Sequence, residues 1–315
     1  MAYDKVVDST VLDGYFSDIA DAIRDKDGTQ NTYTPAQMPQ AIEDIPSGGV
    51  DANLEDLLAG QATGEVTVKD VESLKGVGIG FYDSQNFNTV TILHLPDTKE
   101  LCYVGSNIST FSGLIDIGGY AKLQLLDIPE CKYLRMNRDN NSTSSNRFTR
   151  LTTINAPKLE KFFGCMYGSG ITSIDFPLLN EMGSSSMFTA CTSLTSVKLK
   201  NYASSYGSNT FNGCSSLVIA DLGKPTRIMT NALKNCTSLI ALVIRKTDAV
   251  TALSSSSEFS GEPIANGTGY IYVPRAMVST YQAATNWSTY SAQFRALEDY
   301  TDDGTVDGDF VLPQS

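Results

Sequence analysis

One histidine, His94, and one tryptophan, Trp287, stand in 315 residues. A lone histidine leaves histidine metal sites and histidine-based triads without their usual ligand or base. His94 itself falls between Leu93 and Leu95, which sends it to the outer side of an alternating segment. Basic runs are missing: 23 Lys and Arg stand against 35 Asp and Glu, a net charge of −12. Long-range repulsion then argues against nucleic acid and anionic membrane as partners. Long apolar runs are missing too. No stretch reaches the about 18 apolar residues that a membrane span needs, and the start Met1-Ala-Tyr-Asp-Lys5 lacks the apolar core of a secretory signal. The chain is expected to be made and kept soluble, without membrane insertion. Gly76-x-Gly78-x-Gly80 misses both the G-x-G-x-x-G spacing and the following helix of a phosphate cradle. Asp299, Asp303 and Gly304 suggest a calcium loop, but Thr301 at its third position and Phe310 at its twelfth deny it ligands. No paired carboxylates of a glycan-cleaving enzyme can be placed. A non-enzyme without cofactor or metal is therefore expected.

What is there is repetition. Phe188-x-x-Cys191-Thr-Ser-Leu194-x-x-Val197-x-Leu199 is followed by Phe211-x-x-Cys214-Ser-Ser-Leu217-x-x-Ala220-x-Leu222 and by Leu233-x-x-Cys236-Thr-Ser-Leu239-x-x-Leu242-x-Ile244, with the cysteines 23 and 22 residues apart. A period in the low twenties with an L-x-x-L-x-L core marks a leucine-rich repeat, in which each turn supplies one short strand and buries a face only by stacking on its neighbours. Upstream, a looser form ends in proline: Val90 to Pro96, Leu123 to Pro129, Leu151 to Pro157 and Ile171 to Pro177. Proline ends those strands because it has no N–H to give. Cys165, Cys191, Cys214 and Cys236 are expected at one repeat position, as a ladder of small buried hydrophobes.

The fold class that follows is an α/β-type repeat solenoid, curved and right-handed, with short parallel strands between a small helical N-terminal module and a helical C-terminal cap. Residues 9–27 carry a helical apolar stripe ending at Asp27-Gly28, and Thr34, Pro35 and Gln37 read as the start of a second helix with a capping box. These make a module over 1–45. Residues 46–65 follow as linker and N-terminal cap, opened by Pro46-Ser-Gly-Gly49, with helical turns at Leu54 to Leu58. The solenoid spans 66–270, and Asn137–Asn146 is a polar insertion within it. The cap spans 271–300, a helix from about Arg275 carrying Met277, Tyr281 and Ala284, with the apolar spacing continued to Leu297. Residues 301–315 are an acidic tail, expected to be exposed and mobile.

Recognition has two candidate surfaces. The loop Asn201 to Asn209 mixes Tyr, Ser, Gly and Asn, the residues of binding loops, and offers Tyr202, Tyr206 and Asn209. Alternatively, the non-core strand residues Asn155, Asp175, Lys198 and Asp221 line one continuous strand face.

The repeats from Phe188 to Ile244, with Ile174-Asp-Phe-Pro177, resemble the BspA-like leucine-rich-repeat family, as does the ending Ile271-Tyr-Val-Pro274 with Tyr281 to Trp287. That resemblance implies surface adhesion and ligand binding without catalysis. The start, Met1 to Ser9 with Ile19-Ala-Asp-Ala-Ile23 and Thr34-Pro-Ala-Gln-Met38, resembles the N-terminal module of tail-associated proteins of phages and prophages. Together they imply a virion adhesin, assembled in the host cytoplasm. Residues 1–45 would join other virion tail proteins, and the solenoid would meet a bacterial surface protein or glycan. The alternative is a bacterial cell-surface or secreted adhesin.

Overall fold

The computed structural model describes residues 34, 37, 50–51, 62–71, 73–75, 90–102, 123–136, 148–183 and 185–313. The helices expected over 9–27 and 34–45, the turns at Leu54 to Leu58, the Gly76 to Gly80 run and the Asn137–Asn146 insertion lie outside these, Thr34 and Gln37 excepted. Those two form the glutamine half of the expected capping box: the Thr34 amide donates to Gln37 Oε1 at 3.0 Å.

Strands alternate between two sides of a stack. In chain order they are β1 (Val50–Asp51), β2 (Gly64–Thr67), β3 (Ser73–Lys75), β4 (Val90–His94), β5 (Glu100–Cys102), β6 (Leu125–Asp127), β7 (Tyr133–Met136), β8 (Thr153–Asn155) and β9 (Lys161–Gly164). There follow β10 (Ser173–Asp175), β11 (Glu181–Met182), β12 (Ser196–Lys198), β13 (Ile219–Asp221), β14 (Arg227–Ile228), β15 (Ala241–Val243), β16 (Ala252–Leu253), β17 (Tyr270–Val273) and β18 (Phe294–Ala296). One side stacks β1-β2-β4-β6-β8 and then β10-β12-β13-β15-β17-β18; the other stacks β3-β5-β7-β9-β11 and, further on, β14-β16. Every described pairing of these strands is parallel. This is a parallel-strand repeat solenoid, and β1 extends it into the expected linker.

Period-two alternation makes the core. Leu93, Leu126 and Ile154 are register partners in one strip, as are Ile174, Val197, Ala220, Leu242 and Ile271 in the next, and all are buried. Behind them an aromatic column crosses the turns. Phe162 meets Phe176 and Phe188 edge-on at 5.8 Å, and Phe188 stacks on Phe211 at 5.5 Å. No turn could bury these rings alone, so the stack is the unit of stability.

The thiols do more than fill space. Cys191, Cys214 and Cys236 donate to the carbonyls of Met166, Phe188 and Phe211, one turn back, at 3.1, 3.1 and 3.3 Å. Cys165 does not belong to this ladder. It donates instead to Ser186 O, and Ser169 takes the ladder position, 3.2 Å from Cys191 Sγ. Cys191 beside it and burial push the Cys214 thiol well up, which keeps the donor proton in place. Cys214→Ser, which retains a donor, is expected to cost about 1 kcal/mol, and Cys214→Ala, which leaves the Phe188 carbonyl short of one, about 2 kcal/mol. Urea midpoints in the reverse order would mean that packing alone sets this position.

The stack ends by substitution of one acceptor for another. Along the loop side, amides of Ser186, Phe188 and Ala190 donate to carbonyls of Ser208, Thr210 and Asn212, and those of Asn209, Phe211 and Gly213 to Thr230, Ala232 and Lys234. In the following turn the Glu258 carboxylate replaces the missing carbonyls, accepting from Asn231 N at 2.9 Å and Leu233 N at 2.8 Å. Glu262 stands next to it, 2% exposed, and neither oxygen has a hydrogen-bond partner. Burial pushes its carboxyl up to about 7 against the pull of the Asn235 and Cys236 amides. Unfolded, the group ionises near pH 4.5, so between about 4.5 and about 7 the folded chain binds more protons. Stability should therefore fall as pH rises through that window, by up to about 3 kcal/mol. Glu262→Gln should flatten the curve, as read by urea midpoints at pH 5 and pH 8; a parallel curve would assign the slope elsewhere.

The C-terminal cap is helical from Arg275 to Ala283, but the helix does not continue to Leu297 as the spacing suggests. Ahead of the cap a single turn, α1 (Pro263–Asn266), precedes β17; past Pro274 come a short 3-10 turn at Arg275–Met277, the cap's own helix α2 (Val278–Ala283) and a further 3-10 stretch, Ser288–Gln293. The chain leaves the helix at the extended Ala284, and Asn286, at φ +66°, follows in a turn. Phe294 to Ala296 then pair with the open edge of β17 as β18, because a strand edge offers hydrogen bonds that a continued helix would leave unmade. Tyr281 Oη, Asn286 Nδ2 and Trp287 Nε1 close the edge of β16 by bonding Thr251 N, Leu253 O and Thr251 O at 2.9, 2.7 and 2.6 Å.

Candidate functional site on the outward strand face

The same alternation that buries Leu93 or Ile174 aims its neighbours outward. At the last outward position stand Thr67, His94, Asp127 and Asn155 in register, then Asp175, Lys198, Asp221, Val243 and Tyr272. The expected row of Asn155, Asp175, Lys198 and Asp221 is thus on one face. Its first half is open and polar. His94 Nε2 lies 3.0 Å from Glu65 and Nδ1 2.7 Å from Asp127, and Asn155 Nδ2 donates to Asp127 at 2.7 Å. Partial burial lowers the His94 pKa, but the two carboxylates outweigh it and raise the net value, favouring an imidazolium that joins three turns. Thr153, Ser173 and Asp175 beyond it are exposed.

The second half of the face is covered. Residues 301–313 are not a free tail. The partly buried Val306, Phe310 and Leu312 pack on Ala241, Val243 and Tyr272. Asp309 pairs with Lys198 at 3.1 Å and with Lys200, Asp307 pairs with Lys224 at 3.2 Å, and Lys200 Nζ donates to the Asp307 carbonyl at 2.9 Å. The Lys200 and Lys198 ammonium groups hold the Asp309 carboxyl down at about 2. Beneath them Arg245, 0% exposed, grips Asp221 through Nε at 3.0 and 2.9 Å and Nη2 at 2.6 Å, and donates through Nη1 to the carbonyls of Val306 and Gly308. Gly223 lets its turn close on the one before: at φ +71°, a Cβ there would stand 2.3 Å from Leu199 O.

Several site expectations are corrected by burial. Tyr202 and Tyr206 are each 1% exposed, their rings 4.7 Å apart, and their hydroxyls donate to Ser205 O and Leu222 O at 2.9 Å. Burial pushes the Tyr202 phenol up to about 12. They are core residues that hydrogen-bond their own loop, and they offer no exposed aromatic surface. Asn209 serves its turn, at φ +60° with its side chain accepting from Asn212 at 3.0 Å. Asp221 is likewise buried, under the tail. Asp175 remains open, and Lys198 is divided between Asp175 at 3.8 Å and Asp309. Sequence reasoning does not single out Glu65, the carboxylate bracket around His94, or Arg245. The signal for the first two was the outward position itself, since Glu65 and His94 each stand one residue from a core position, Val66 and Leu93. Among the described residues no three of His, Cys, Asp or Glu group as metal ligands, and no helix is long and apolar enough to cross a membrane.

Strand register and turn spacing define a parallel-strand repeat solenoid with an outward face half open and half occupied. Residues 160–266 match the BspA type leucine rich repeat region in 6 copies. A solved leucine-rich repeat protein from Bacteroides ovatus ATCC 8483 is similar at 15% identity over 76% of this chain and 85% of that one, with a TM-score of 0.22. A score that low leaves the fold resting on the strand register. No curated protein matches.

Proposed function

We propose that the chain is a non-enzymatic adhesin of a phage tail, attaching the particle to a bacterial host. Residues 1–45 join other tail proteins, and the open half of the outward face meets a bacterial surface protein or glycan. The observation that supports this reading is the polar row Glu65, His94, Asp127 and Asn155, held across turns by its own hydrogen bonds, because a preorganised surface loses little side-chain freedom on binding. A bacterial cell-surface adhesin is the second reading, favoured by the BspA-type repeats.

Mass spectrometry of purified particles separates the two: the protein is expected among tail components, and finding it in envelopes of a phage-free strain instead would select the second reading. Asn155→Arg with Asp175→Arg places two long cations on the open face without touching the core. The pair should weaken adsorption of the labelled chain to host cells at least about ten-fold, or about 1.4 kcal/mol. Unchanged adsorption would move the contact off this face.

A further inference from the structure

The covered half of the outward face reads its cover in a way that is not special to this tail. Three of the hydrogen bonds on residues 301–312 go to main-chain carbonyls, from Arg245 to Val306 and Gly308 and from Lys200 to Asp307, and any extended peptide presents such carbonyls. Two carboxylates set the register, Asp307 against Lys224 and Asp309 against Lys198 and Lys200. One ring then fills a socket, Phe310 against Tyr272 at 4.7 Å between centroids. The socket is built from residues outside the tail: Arg245 is held by Asp221 in the neighbouring strand, and Tyr272 belongs to β17. The tail's hold is exposed by comparison. Asp307 and Asp309 side chains are 79% and 53% exposed, and exposed ion pairs are weak and screened by salt.

We infer that the outward face of β12, β13, β15 and β17 is a docking surface for an extended acidic peptide segment with an aromatic residue directly after its acids, presented by a partner protein. Residues 301–312 occupy that surface in cis until such a segment displaces them. The inference rests on the reading of the outward face as a binding surface and names the chemistry of a partner for its covered half. A tethered segment competes at millimolar effective concentration, so the partner succeeds where its own segment is concentrated or the tail's grip is loosened.

The test uses the full chain and a fluorescent peptide of residues 301–315, followed by anisotropy. Asp307→Ala with Asp309→Ala loosens the cis tail at two exposed positions. The peptide should bind this variant at least ten-fold more tightly than it binds the unaltered chain, and 0.5 M salt should weaken that binding. A peptide carrying the same two alanines should bind neither chain. Failure of the unaltered peptide to bind the variant overturns the inference and makes the tail a fixed part of the fold. Dimerisation of the variant in place of peptide binding assigns the surface to a second copy's tail and overturns the partner. No host cells enter the measurement, so its outcome is separate from that of the adsorption experiment.

Discussion

Arg245→Ala should lower the unfolding free energy by about 3 to 5 kcal/mol, a loss typical of breaking a buried ion pair by removing one partner. Asp221 would stay 3% exposed with no countercharge, and the carbonyls of Val306 and Gly308 would lose their donor. The cost comes from what is left behind, so removing both charges should cost less than removing one. Arg245→Met with Asp221→Leu is expected to recover at least half of the loss, because two apolar side chains of similar volume need no desolvation penalty. Urea unfolding followed by the fluorescence of Trp287 measures all three proteins. A single variant within about 1 kcal/mol of the parent would show that water enters and screens Asp221.

Trp287→Ala is expected to cost about 3 to 5 kcal/mol as well, through a different mechanism. The indole is 0% exposed among Phe259, Tyr281 and Phe294, at 6.3, 5.6 and 6.0 Å between ring centres. Its removal leaves a cavity at the end of the stack and takes the donor from Thr251 O, bonded at 2.6 Å. Trp287→Phe keeps most of the volume and loses the donor, so about 1 to 2 kcal/mol is expected from it. Circular dichroism melts can rank the pair, and equal losses would assign the whole effect to the hydrogen bond.

The two effects separate what could be read from the chain from what could not. Inward positions were legible, since Ile174, Val197, Ala220 and Leu242 follow one offset and a shared period forces them into one column. Burial of Tyr202 and Tyr206 was not, because local composition is the same for a loop that turns outward and one that folds under. The cover of the outward face had left a mark. From Ser173 and Ser196 its outward residues change to Ile219, Ala241 and Tyr270 along one register column, and an outward run of apolar side chains calls for something to cover it. What covers it was hidden by the acids of the tail, whose partners Lys198, Lys200 and Lys224 are about a hundred residues away in sequence. The cap misread has a similar cause: Phe294 and Leu297 suit a helical stripe equally well, but a free strand edge competes for the same backbone.

The Glu258 carboxylate that stands in for two carbonyls makes the length of the molecule an adjustable quantity. A turn duplicated between Cys191 and Cys214 would meet on both sides the surfaces that its neighbours already present, and would carry Glu258, Trp287 and the tail outward unchanged. Each such copy adds about 4.8 Å to the stack. A copy placed beyond Asn231 would instead find its amides already taken by an acid side chain and nothing to build upon. Reach can thus grow by copying from within, at a fixed step, while the terminus stays a finished surface.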